Sequence, residues 1–171
     1  MTVRSLFSFP DPVNEKAART VAGGVVAMSV AAIVTQQSWL LVVVALGFWA
    51  RVLTGPTLSP LGRVATSVVA PALGKPKHVP GPPKRFAQAI GTAFSTAAAL
   101  LWFVAGAHLP ALGVTAALAS AAFLEAALGL CLGCKAFGIL MRLGLLPRSV
   151  CEACADLSLR HPELSGNPAR T

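Results

Sequence analysis

Charge is what this sequence has least of. Only 12% of its 171 residues are Asp, Glu, Lys or Arg, where a soluble domain carries about 25%. Acids are scarcer still, six against fourteen Lys and Arg, for a net charge of +8. From Thr20 to Ala50 and from Phe86 to Leu124 there is no Asp, Glu, Lys or Arg at all. A soluble globular domain is thereby excluded. Familiar catalytic sets are missing too: there is no phosphate-binding glycine loop, no Ser-His-Asp set and no pair of catalytic carboxylates. The first nineteen residues include Asp11, Glu15 and interrupting prolines, so no cleavable signal peptide is expected.

What the chain has instead is apolar surface: 55% apolar residues and a mean hydropathy of +0.71. Crossing a bilayer takes about 20 apolar residues, so the second run is too long for one helix. Gln36-Gln37-Ser38 sits in the middle of the first run, where three polar groups would be costly inside lipid but cheap in a turn. Pro110 divides the second run at a His108-Leu109-Pro110 turn. The expected fold is therefore all-α, an integral membrane bundle of four transmembrane helices in two hairpins. Its spans are expected over about 12–35, 38–54, 84–107 and 111–132, within a membrane domain of 12–146. Asp11 is expected to cap the first helix, with Pro12 at its first position. Residues 1–11 form an amino-terminal segment and 147–171 a tail.

With four spans, all fourteen basic residues fall on one side and the two opposite turns carry none. The positive-inside rule makes that side cytoplasmic, which places both termini in the cytoplasm of a plasma-membrane protein. A three-span chain would leave three basic residues outside and fits the rule less well. The scattered basic residues lack aromatic interleaving or a binding module, so no nucleic acid is expected. Anionic lipid of the bilayer is the simpler partner. Between the hairpins, the apolar stripe Leu61, Val64, Ala65, Val68, Val69, Ala72 and Leu73 predicts a helix over 60–73. It would lie on the membrane surface or pack on the bundle. A stiff proline-rich connector follows at 75–83. Gly91 and Ser95 form one small-xxx-small pair among many small residues.

The chemistry rests on four cysteines, Cys131-Leu132-Gly133-Cys134 and Cys151-Glu152-Ala153-Cys154. Two such pairs read either as a zinc site, with all four as ligands, or as two dithiol–disulfide couples. An iron–sulfur cluster is a further use of the same ligands. Structural disulfides do not suit a reducing cytoplasm. If the segments after the last span fold back near Gly144–Arg148, the pairs lie about a helical turn out of register, so a shared four-sulfur site needs extra bending. Lys135 and a helix start near Gly133 would favour thiolate at Cys131 and Cys134, whereas Glu152 and Asp156 would disfavour it at the second pair. Glu125 is an intramembrane carboxyl and so a functional candidate. On a continuous helix it would point about 180° from Cys134, and it is equally a bundle hydrogen bond to Ser95 or Thr96. His78 and His108 read as solvated, and His161 is a further metal-ligand candidate.

DPVNEKAART, SPLGRVATSVVAPALG, PKRFAQAIG and GLCLGCKAFGILMRLG together resemble the bacterial domain-of-unknown-function 4395 membrane proteins over about residues 9–156. CLGCK and PKRFAQ are the most specific elements, and the second CxxC resembles the actinobacterial branch. Only Cys131 and Cys134 carry the family's motif; Cys151 and Cys154 match it less closely. The resemblance implies thiol redox or sulfur transfer with a thioredoxin-like or sulfurtransferase partner. A non-catalytic membrane subunit with a structural zinc, and a small transporter using Glu125, are the rival expectations.

Overall fold

A computed structural model describes residues 11–144. The chain enters its first helix at Glu15, three residues later than expected. Asn14, not Asp11, is the cap: it is extended, and its Oδ1 accepts the Lys16 amide at 3.0 Å. The residues before it are used otherwise, because β1 (Val13–Asn14) pairs antiparallel with β2 (His78–Val79) from the connector. Asp11 Oδ1 accepts the Gly81 amide at 3.0 Å. Helix α1 (Glu15–Thr35) ends at a left-handed Gln36, and α2 (Trp39–Thr54) follows a short turn. That turn is where the polar Gln36-Gln37-Ser38 triplet places it.

Ser59 starts α3, its Oγ accepting the Gly62 amide at 3.2 Å. This element runs as Pro60–Val64, a π-helical Ala65–Val69 and Ala70–Ala72. Its expected stripe is split. Leu61, Ala65 and Ala70 pack against Ala17 and Val21 of α1, whereas Val64, Val68 and Leu73 face outward. Helix α4 (Gly81–Phe103) begins inside the expected connector, because Pro82 and Pro83 occupy its first turn, where a missing amide costs nothing. The second hairpin turns at 104–107 and not at His108–Pro110. Pro110 lies in the first turn of α5 (His108–Leu128) for the same reason, and His108 stacks on Trp102 with ring centroids 4.4 Å apart. Helix α6 (Leu132–Arg142) completes the described residues.

Helices α1, α2, α4 and α5 pack in a closed ring, α1 between α5 and α2, and α4 between α2 and α5; α6 lies mainly on α4. Polarity in this bundle is inverted. Ser29, Thr92, Ser95 and Thr115 are buried at its centre, while Val34, Trp39, Leu46, Leu100, Leu109 and Phe123 are exposed. Soluble monomers rarely expose continuous apolar surface on this scale, and hydrocarbon is the solvent that suits it. Helices α1, α4 and α5 are each long and apolar enough to cross a membrane; α2 is apolar but shorter. The chain is an all-helical membrane protein.

Small residues set how closely the ring closes. At Gly91, a Cβ would fall on the Phe48 ring, so this glycine lets α4 seat the aromatic of α2. Phe48 in turn packs with Val25, Val44 and Leu118. Gly91→Val is expected to lower the thermal midpoint of the detergent-purified protein, at about 1–3 kcal/mol for overpacking. Gly113→Ala, where nothing lies within 4 Å of the added methyl, is expected to leave it unchanged or raised. Equal melting of the Gly91→Val variant and wild type would remove the close approach.

Candidate functional site

One backbone position organises the site. Gly129 has φ 67°, and its amide and that of Leu130 turn back on the carbonyls of Glu125 and Leu124. This left-handed glycine ends α5 at Leu128, short of the expected 132. Arg19 of α1 secures the same end: its Nε and Nη2 donate to Ala126 O at 3.1 and 3.0 Å, and Nη2 donates to Ala127 O at 2.8 Å. A cation on the last carbonyls also suits the helix dipole. The chain then turns so that Cys131, extended and buried, becomes the N-cap of α6.

The CxxC pair is thereby built into a helix start. The Cys134 amide donates to Cys131 Sγ at 3.4 Å, and both residues are free cysteines. Gly133 between them touches α4: a Cβ there would lie 2.6 Å from Cα and Cβ of Ala87. Phe137 is buried one turn on, its ring 5.5 Å from that of Phe86. Gly133 is thus the contact that brings the amino end of α6 against α4.

Glu125 finds a partner that the sequence reading did not assign. Lys84 of α4 donates to its Oε1 at 2.5 Å. Ser95 and Thr96 are engaged elsewhere: Ser95 Oγ bonds the Gly91 carbonyl, and Thr96 Oγ1 accepts from Trp49. Lys84 is 8% exposed. The pairing follows from depth in the hairpin. Lys84 lies three residues after Gly81 and Glu125 three residues before Leu128, so antiparallel helices put them level. That matching distance from the two charged ends was the signal available in the sequence. The 180° separation of Glu125 from Cys134 is also corrected, since the helix breaks at Gly129.

Lys84 and Glu125 act electrostatically on both sulfurs. A hydrogen bond from the Cys134 thiol lowers the Cys131 thiol below its ordinary range; burial and Glu125 oppose this, and Lys84 and the Cys134 amide assist. Cys134 is pushed far up, by donating that hydrogen bond, by burial and by the negative charge on Cys131. The pair therefore divides into the more acidic thiol, Cys131, and a proton holder, Cys134. The helix start falls on Cys131, so the thiolate sits at the capping position.

An open pocket of about 530 Å³ leads to this pair, lined by Lys84, Leu128, Cys131, Cys134, Lys135 and Glu15 among others. Glu15 is paired with Lys77 at 2.7 Å. Behind the pair lies an apolar cavity of about 120 Å³ reaching into the bundle, with Cys131 and Glu125 on its wall. Cys151, Cys154 and the candidate ligand His161 lie outside the described residues. Among the described residues, no group of three or more His, Cys, Asp or Glu is placed to hold a metal; two sulfurs alone do not make a tetrahedral zinc site. His78 sits in β2, within the connector and paired with Asn14.

Signs follow directly. In a Cys151→Ser/Cys154→Ser background, the pH midpoint for alkylating Cys131 is expected below the ordinary thiol value of about 8.5. Cys134→Ala removes the thiol donor and moves the midpoint up. Lys84→Met also moves it up, and Glu125→Gln moves it down. A midpoint indifferent to all three changes would contradict this division of roles.

Comparison with known proteins is consistent with the resemblance in CLGCK and PKRFAQ. No curated protein and no solved structure matches the chain. Residues 13–142 match the family described as Domain of unknown function (DUF4395), which spans every element from β1 to α6, and the chain belongs to that family.

Proposed function

We propose that this is a plasma-membrane protein of four spans, α1, α2, α4 and α5, with both termini in the cytoplasm and α3 and α6 lying at that face. Its Cys131–Cys134 pair exchanges electrons or sulfur with a cytoplasmic thioredoxin-like or sulfurtransferase protein. Basic residues support the orientation: Lys16, Arg19, Arg51, Lys84 and Lys135 all gather at one end, and the turns at 36–38 and 104–107 carry none. The observation that carries the chemistry is the capping geometry, with Cys131 Sγ receiving the Cys134 amide beside a buried Lys84–Glu125 pair.

The exchange runs in two steps. Cys131 thiolate attacks one sulfur of a partner disulfide, forming a mixed disulfide and releasing the partner's other sulfur as thiolate, which takes a proton from water. Cys134 then loses its proton and attacks Cys131 Sγ, and the second partner thiolate leaves and is protonated. The partner gains two electrons, and Cys131–Cys134 becomes the disulfide. Glu125, whose charge acts on Cys134 and which Lys84 holds in place, would receive the Cys134 proton. With a partner persulfide, Cys131 takes the outer sulfur and the partner leaves as thiolate. Thiol-disulfide shuttling to Cys151 and Cys154 would extend the same chemistry into the tail.

The test combines metal analysis with thiol counting on detergent-purified protein. The expected result is four alkylatable thiols without stoichiometric zinc, a Cys131–Cys134 disulfide on titration with oxidised dithiothreitol, and a mixed disulfide trapped by Cys134→Ala. One zinc per chain shielding all four thiols would establish the structural-zinc alternative instead. Orientation is checked separately: an impermeant maleimide should leave these thiols unlabelled until cells are lysed.

A further inference from the structure

Arg51, near the carboxyl end of α2, is 5% exposed. Its Nε donates to Gln88 Oε1 at 3.1 Å and its Nη1 to Ser59 Oγ at 3.4 Å. Its guanidinium lies over the Phe48 ring, 4.5 Å from the centroid. Nη2 is buried and has no hydrogen-bond partner among the described residues. No described carboxylate balances the charge. The three in this region are Asp11, Glu15 and Glu125, and each is engaged elsewhere: Asp11 with the Gly81 amide, Glu15 with Lys77 and Glu125 with Lys84. A buried cation without a counter-charge is costly, and a ring face recovers only part of that cost.

Beside the guanidinium is a cavity of about 60 Å³ where α1, α2, α3 and α4 meet, lined by Arg51, Ala17, Gly55, Gly62, Thr66 and Gln88 among others. The geometry points to this cavity as a binding site for a compact monovalent anion of chloride's size, held by Arg51. Nε and one hydrogen of Nη1 are already committed, which closes the side-on fork of Nε and Nη2 to a phosphate or carboxylate. Nη2, the nitrogen with neither hydrogen committed among the described residues, meets a volume of about 60 Å³ that suits a one-atom acceptor. The volume holds such an ion with a water or two. The site also has a structural consequence. Ser59, which accepts from Arg51, is the cap of α3, so the ion neutralises the residue that ties α3 to α2 and α4.

The test uses the full chain, delipidated in detergent. Melting is compared in sodium chloride and in sodium gluconate of equal ionic strength, so that screening is matched. Chloride is expected to raise the midpoint by at least about 3 °C, and the ³⁵Cl resonance should broaden and sharpen again on adding bromide. Arg51→Gln should lose both effects. Thr66→Leu, which narrows the cavity and leaves the guanidinium intact, should weaken the broadening even if Arg51→Gln does not fold. Equal melting in the two salts without broadening overturns the proposal, as does broadening that survives both substitutions. Phosphatidylglycerol added in gluconate serves as the other arm. Arg51-dependent stabilisation by that lipid matching chloride's would assign the site to a headgroup phosphate and overturn it as well.

Discussion

Had α5 continued through residue 129, Cys131 and Cys134 would stand on a membrane helix, with Glu125 turned half a revolution away from Cys134. The left-handed turn at Gly129 prevents this, and the contact of Gly133 with Ala87 makes the turn productive. Together they convert a CxxC sequence into a helix cap set against a buried ion pair. Neither glycine contributes a reacting atom. Glycine suits both, because a residue without Cβ takes φ near +67° without strain at one position and allows the close contact with Ala87 at the other.

Within the site, the Lys84–Glu125 pair has a balanced effect on Cys131, since one charge favours the thiolate and the other opposes it. The asymmetry between the two sulfurs comes from their own hydrogen bonding, imposed by the first turn of α6. A neutral ion pair is a sound neighbour for such a couple in a low-dielectric setting. In the proposed exchange it would supply a carboxylate for proton movement without fixing a net charge at the membrane edge.

The helices were readable in the sequence because the uncharged runs and the Gln36-Gln37-Ser38 triplet reflect lipid exclusion, a force that acts residue by residue. Helix ends were read less well. Pro12 and Pro110 look like boundary markers, yet β pairing displaces one start to Glu15, and Pro110 is absorbed into a first turn. Cys131 and Cys134 stood out as a pair from spacing alone. Lys84 was not, because it stands among the prolines and basic residues of a loop-like stretch, and only the antiparallel hairpin brings it level with Glu125. Nothing in the sequence marks Arg51 out from the other basic residues, whereas the fold removes it from water.

The turns at 36–38 and 104–107 contain no Asp, Glu, Lys or Arg. In the proposed orientation these are the parts of the described chain that pass through the bilayer during biogenesis. Each hairpin thus translocates without moving fixed charge across the electric field. Its insertion draws no work from the transmembrane voltage and meets no opposition from it, and should proceed alike in energised and de-energised cells.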